Sequence, residues 1–153
     1  EKQSTIHQAQ KRLMNISQMI KNCVKFKYMN HHALNGVYLE ENFKNKNNMY
    51  QLKYLLELIM TLPSYFLDAC GKPCYKKYSF DIVRENKDIN FEILEKASLI
   101  RSEWPNFMKH PFEGNEIPEW VEKELEINYF ERTLNFCNSL INHSPLKNKS
   151  IKI

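Results

Sequence analysis

Between Gly71 and Phe80 the chain reads Gly-Lys-Pro-Cys-Tyr-Lys-Lys-Tyr-Ser-Phe, which gathers Lys72, Lys76 and Lys77 with Tyr75, Tyr78 and Ser79. Ammonium groups hold phosphate as point charges. A loop that runs into a helix attracts anions through the free amides and the dipole at the helix N-terminus. With Ser79 placed to cap the helix that follows, the segment is a candidate anion site made of Lys72, Lys76, Lys77, Tyr78 and Ser79. A solvated turn with two tyrosines laid over the core accounts for the same residues without a ligand.

The other chemistry-bearing side chains assemble no catalytic set. His31 and His32 are adjacent, and neighbours on a helix point about 100° apart, an awkward geometry for two ligands of one metal. His7 and His110 have no serine or cysteine at a spacing that nucleophilic catalysis uses. Asp68, Asp81 and Asp88 are too scattered for a two-metal site and read as helix ends or surface charges. A phosphate-cradling loop needs clustered glycines, whereas the three glycines here, Gly36, Gly71 and Gly114, are far apart. Cys70 and Cys74 have a spacing that zinc sites use, but Cys23 and Cys137 fall in helical stretches and form no second pair. The reading is of reduced cysteines, no metal site and a cytoplasmic setting.

Helices must position whatever this segment does. With three glycines and six prolines in 153 residues, the chain lacks the turn-forming residues that an all-β fold requires. Ile6, Ala9, Leu13, Ile16, Ile20 and Cys23 recur at three- and four-residue steps and predict a helix over about Thr5 to Met29. A shorter helix is expected within Asn30 to Asn48, despite Gly36. Met49 to about Cys70 is the most apolar helix and the expected centre of the fold, with a kink or break near Leu62 because Pro63 has no amide to bond Ile59. Gly71 and Pro73 stop it. A loop over Gly71 to Tyr78, a short helix over Phe80 to Glu85, and a helix from Asp88 or Asn90 to Trp104 follow. Asn106 to Asn115 reads as a loop, and Glu119 to about Ile141 as the last helix. The fold class is all-α: a single-domain bundle of about five to six helices over residues 1–141, with a polar, flexible tail over 142–153.

At this length roughly 68–70% of the unfolded surface can be buried, so the core needs no staples. A net charge of +4 permits a polyanionic partner without the dense basic stripe of a nucleic-acid binder. The best apolar run, Tyr54 to Leu67, contains Glu57 and Pro63 and falls short of the roughly 20 residues a membrane span needs. The opening at Glu1, with no basic segment leading into an apolar run, reads as a trimmed chain or a piece of a longer one.

The apolar helix with Tyr50-Gln51-Leu52-Lys53-Tyr54-Leu55-Leu56, the connection with Gly71 and Pro73, and Lys76-Lys77-Tyr78-Ser79-Phe80 opening a further helix together resemble a known arrangement. Over about residues 30–104 the chain is similar to the helical C-terminal, substrate-side half of bacterial nucleotidyltransferases of the polymerase-β superfamily. The resemblance implies nucleotidyl transfer from an NTP, with magnesium held by the carboxylates of an N-terminal α/β domain in the same or another chain. It implies that Lys76 and Lys77 face the nucleotide phosphates and that Tyr78 or His31 lies near the acceptor. A second expectation from the residues is a non-catalytic interaction module, an antitoxin-like partner or effector fragment. Its anchors would be the aromatics between Trp104 and Trp120, Phe107 and Phe112 among them.

Overall fold

Leu56, Ile59, Leu62 and Phe66 recur at the spacing of one helix face, and the helix they form is the element against which the others pack. The computed structural model describes residues 2–29, 48–103, 119, 121, 123 and 129–152. Five helices and no strand occur among them, in the order α1 (Lys2–Met29), α2 (Asn48–Ala69), α3 (Lys76–Arg84), α4 (Glu92–Ser102) and α5 (Tyr129–Asn142). The all-α bundle is therefore observed. Among the described residues no helix is long and apolar enough to cross a membrane.

Central α2 touches each of the other four helices, and α1 also packs along α5. On α1 the inward stripe is Ala9, Leu13, Ile16 and Ile20, all buried. The buried Ser17 satisfies its hydroxyl by donating to the Leu13 carbonyl at 2.7 Å, one turn back. Burial of each of Leu13, Ile20, Leu56, Ile59 and Leu62, all at 0% exposure, stabilises the fold by about 1.5–3 kcal/mol. Two charge pairs tie helices at their partly exposed edges. Arg101 of α4 reaches Glu57 of α2 at 3.2 Å, and Arg132 of α5 reaches Glu92 of α4 at 3.0 Å.

Three boundaries depart from the sequence reading. Helix α2 runs unbroken through Pro63. The ring costs one backbone bond, but the buried residues on either side, Ile59, Leu62, Phe66 and Leu67, hold both halves on the same core. Helix α3 starts at Lys76, so Ser79 sits inside it and does not cap it; Tyr75, in extended conformation with ψ 138°, occupies the N-cap position. The segment after α5 does not stand off as a loose tail. Ser144 and Leu146 are buried, and Asn138 holds the backbone of Ile151. The expected helix within 30–48 and the loop over 106–115 lie outside the described residues. Of the last predicted helix, positions 119, 121, 123 and 129–142 are described, and all are helical.

Candidate functional site

The α2 to α3 connection is built by the end of α2. Gly71 adopts φ +74°, its amide donates to the Asp68 carbonyl at 3.0 Å, and the Lys72 amide donates to the Leu67 carbonyl at 2.8 Å. This is the paired-bond ending that a left-handed glycine makes possible. It turns the chain sharply, and Pro73 disfavours a helical conformation at the preceding Lys72. Lys72 therefore leaves the end of α2 close to where Tyr75, Lys76, Lys77 and Tyr78 begin α3.

Lys72, Lys76 and Lys77 are all exposed. Beside them stand the large side chains of Tyr75, 79% exposed, and Tyr78, 49% exposed. The two tyrosine rings meet edge to face with centroids 6.5 Å apart. The Lys77 ammonium lies 4.8 Å from the Tyr78 ring centre, within reach of a cation–π contact. Tyr75 offers no side-chain cap to α3. Its carbonyl accepts the Tyr78 amide at 2.9 Å, one turn on. The corner thus combines three cations, two solvent-facing aromatic rings and the positive end of a nine-residue helix.

Of the residues singled out from the sequence, Lys77 lies against the Tyr78 ring, and Lys72 and Lys76 are exposed on the same short stretch of chain. Ser79 is not: it is fully buried, and its hydroxyl donates to the Lys76 carbonyl at 2.7 Å. The serine faces the core because α3 starts earlier than its type suggests, so it has no surface to offer a ligand. His31 lies outside the described residues. Next to the corner, Cys70 is half-buried, and burial raises its thiol pKa even though the nearby Lys72 cation pulls the other way. Among the described residues no three His, Cys, Asp or Glu side chains cluster as a metal site needs. This set of lysines and tyrosines does not fit magnesium, which takes oxygen ligands such as carboxylates.

Two residues near the corner carry no signal in the sequence. Glu57 and Arg101 are 44 positions apart, yet they pair across α2 and α4. Only the packing of those helices reveals it.

Compared with known protein families, curated proteins and solved structures, the chain matches none.

Proposed function

We propose that this chain is the helical, substrate-side domain of a nucleotidyltransferase. In this reading it works in a reducing, cytoplasmic setting beside a catalytic half that supplies the metal-binding carboxylates. The observation that supports it is the single corner holding Lys72, Lys76 and Lys77 with exposed Tyr75 and Tyr78. Lysines at that corner neutralise the charge that builds on the triphosphate as the leaving group departs. A tyrosine face beside them accepts a base by stacking, worth about 1–3 kcal/mol per base. The chain's own part is to bind and orient the nucleotide, while bond making belongs to the other half. Helical presentation suits this work, since side chains on α3 are held more tightly than loop residues would be.

Calorimetric titration of the full chain with ATP and magnesium tests the reading. Saturable binding that drops about tenfold or more in Lys76→Ala/Lys77→Ala and falls in Tyr78→Ala is the expected result. Equal affinity in wild type and the double lysine variant removes the phosphate role.

The second reading, a protein-interaction module, draws support from Tyr75, Tyr78 and Ile82, which lie on one turn-spaced stripe and are 79%, 49% and 41% exposed. Exposed aromatic and aliphatic side chains in line are the anchors that protein interfaces favour. The same titration separates the two, because an interaction module shows no saturable ATP binding.

A further inference from the structure

We propose that the outer face of α1 binds duplex DNA, laying Gln8 and Asn15 against base edges in the major groove and Lys11 and Arg12 against the phosphates on its two sides. The chain's net charge of +4 hides an uneven distribution. Helix α1 holds Lys2, Lys11, Arg12, Lys21, Lys25 and Lys27 and no aspartate or glutamate, so it carries +6 and the rest of the chain a net −2. A helix without acids has no carboxylate of its own to pair with its cations or to repel a polyanion.

Burial fixes which face points outward. Ala9, Leu13, Ile16 and Ile20 enter the core, and Gln8, Lys11, Arg12 and Asn15 are exposed on the other side. Gln8 and Asn15 are two turns apart, about 10 Å along the axis, and lie on one line. At 3.6 residues per turn, Lys11 falls roughly 50° to one side of that line and Arg12 roughly 50° to the other. The Arg12 guanidinium rests over the Tyr65 ring of α2, 5.9 Å from its centroid, a stacked pose that leaves its N–H edge to donate. Among the described residues neither Lys11 nor Arg12 enters an ion pair. Amides on the midline and cations on both flanks match a helix in a groove, where base edges form the floor and phosphates the walls. An α-helix with its side chains is about 10–12 Å across, and the major groove of B-DNA is about 12 Å wide. Asparagine and glutamine each form paired hydrogen bonds with adenine, and a rise of about 3.4 Å per base pair sets Gln8 and Asn15 about three base pairs apart. Other polyanions fit less well. Among the described residues, α1 exposes no large apolar side chain to enter a membrane and no Phe, Tyr or Trp ring on which single-stranded bases stack. The major groove of A-form RNA is too deep and narrow for side chains to read.

The inference is independent of the nucleotidyl-transfer reading, since no residue between Gly71 and Phe80 takes part. Fluorescence anisotropy tests it, with the full chain titrated into a labelled duplex of about 20 base pairs whose centre is A·T-rich. Saturation in the micromolar range is expected at about 50 mM salt, with binding about fivefold or more weaker to the single strand and to duplex RNA of the same sequence. Lys11→Gln and Arg12→Gln should each weaken binding about threefold or more and flatten the slope of log affinity against log salt by about 0.9, whereas Arg12→Lys keeps the slope. Gln8→Ala/Asn15→Ala should keep the slope but remove an expected preference of about fivefold for the A·T-rich over a G·C-rich centre. All four side chains are exposed, so the variants keep the fold. Lys76→Gln/Lys77→Gln should leave DNA binding unchanged, so a failure of this inference and a failure of the ATP reading show separately. The inference is overturned by the absence of saturation, by equal binding of single strand or duplex RNA, by an unchanged slope in Lys11→Gln, or by the lack of any base preference. It is equally overturned by a loss in Lys76→Gln/Lys77→Gln as large as that in Lys11→Gln, or by a polyglutamate peptide that displaces the duplex as well as unlabelled DNA does.

Discussion

The carboxamide of Asn138 grips the backbone of Ile151 from both sides: its Nδ2 donates to the Ile151 carbonyl and its Oδ1 accepts the Ile151 amide, each at 2.8 Å. A single side chain on α5 thereby stands in for a missing backbone partner and draws the segment after α5 against the helix. Ser144 assists, donating to the Ile141 carbonyl at 2.8 Å while its oxygen accepts the Leu146 amide at 3.0 Å. Leu146, 8% exposed, is the apolar residue this fold-back buries.

Asn138→Ala removes both bonds of that clasp, at a cost of about 1–2 kcal/mol for a partly buried pair. Urea unfolding should show the midpoint falling with an unchanged slope. Trypsin should cut after Lys147 and Lys149 faster in the variant than in wild type. Equal cleavage rates would mean that the clasp does not hold the segment.

Gly71→Ala isolates a backbone effect. Among the described residues, a Cβ built at Gly71 meets Ile6 Cδ1 at 3.5 Å, an ordinary contact. The cost must then come from φ +74°, which penalises an L residue by about 1–2 kcal/mol. Gly71→Asn should cost less, because asparagine visits this region more readily. Thermal unfolding that ranks glycine above asparagine above alanine checks the prediction.

How much of this was legible follows from which residues carry local meaning. The end of α2 was readable because few residues other than glycine enter the left-handed region, so Gly71 before Pro73 marks one structure. The start of α3 was not, because a serine hydroxyl serves equally well as a cap or as a donor to its own helix, and Ser79 takes the second role. The segment after α5 reads as polar and loose because Asn138 is 13 positions from Ile151, beyond what a turn signature encodes. Lys72, Lys76, Lys77 and Tyr78 could be grouped from the sequence because they are close in it. Arg101 and Glu57 could not, since long-range pairing leaves no trace in spacing.

Ser79 supplies a control for the anion corner. Among the described residues its hydroxyl bonds within α3, so Ser79→Ala should change stability by less than about 1 kcal/mol and leave ATP binding unchanged. Ser79→Leu, which forces a larger group into a fully buried position, should cost about 1–3 kcal/mol. A loss of ATP binding in Ser79→Ala, with stability intact, would return this residue to the ligand surface.

Alkaline pH should weaken the fold through two buried acids on α5. Burial pushes the Cys137 thiol up to about 12, and burial likewise raises the Tyr129 phenol. In the unfolded chain these groups ionise near about 8.5 and about 10. Both stay protonated in either state at neutral pH, so stability there is unaffected by their titration. As pH rises past each unfolded value, the unfolded chain releases a proton that the folded chain keeps, and stability falls by about 1.4 kcal/mol per pH unit for each group. For Cys137 the decline continues until its folded value near 12 is reached. Urea unfolding at pH 7, 9 and 10.5 should therefore give a curve that is flat at first and steepens with each step. Tyr129→Phe should reduce the slope above about 10. Cys137→Ala should reduce the slope between about 8.5 and 10, although it is less stable at pH 7 because it empties space in a fully buried position. Parallel pH curves for wild type and both variants would show that neither acid is sheltered as its burial requires.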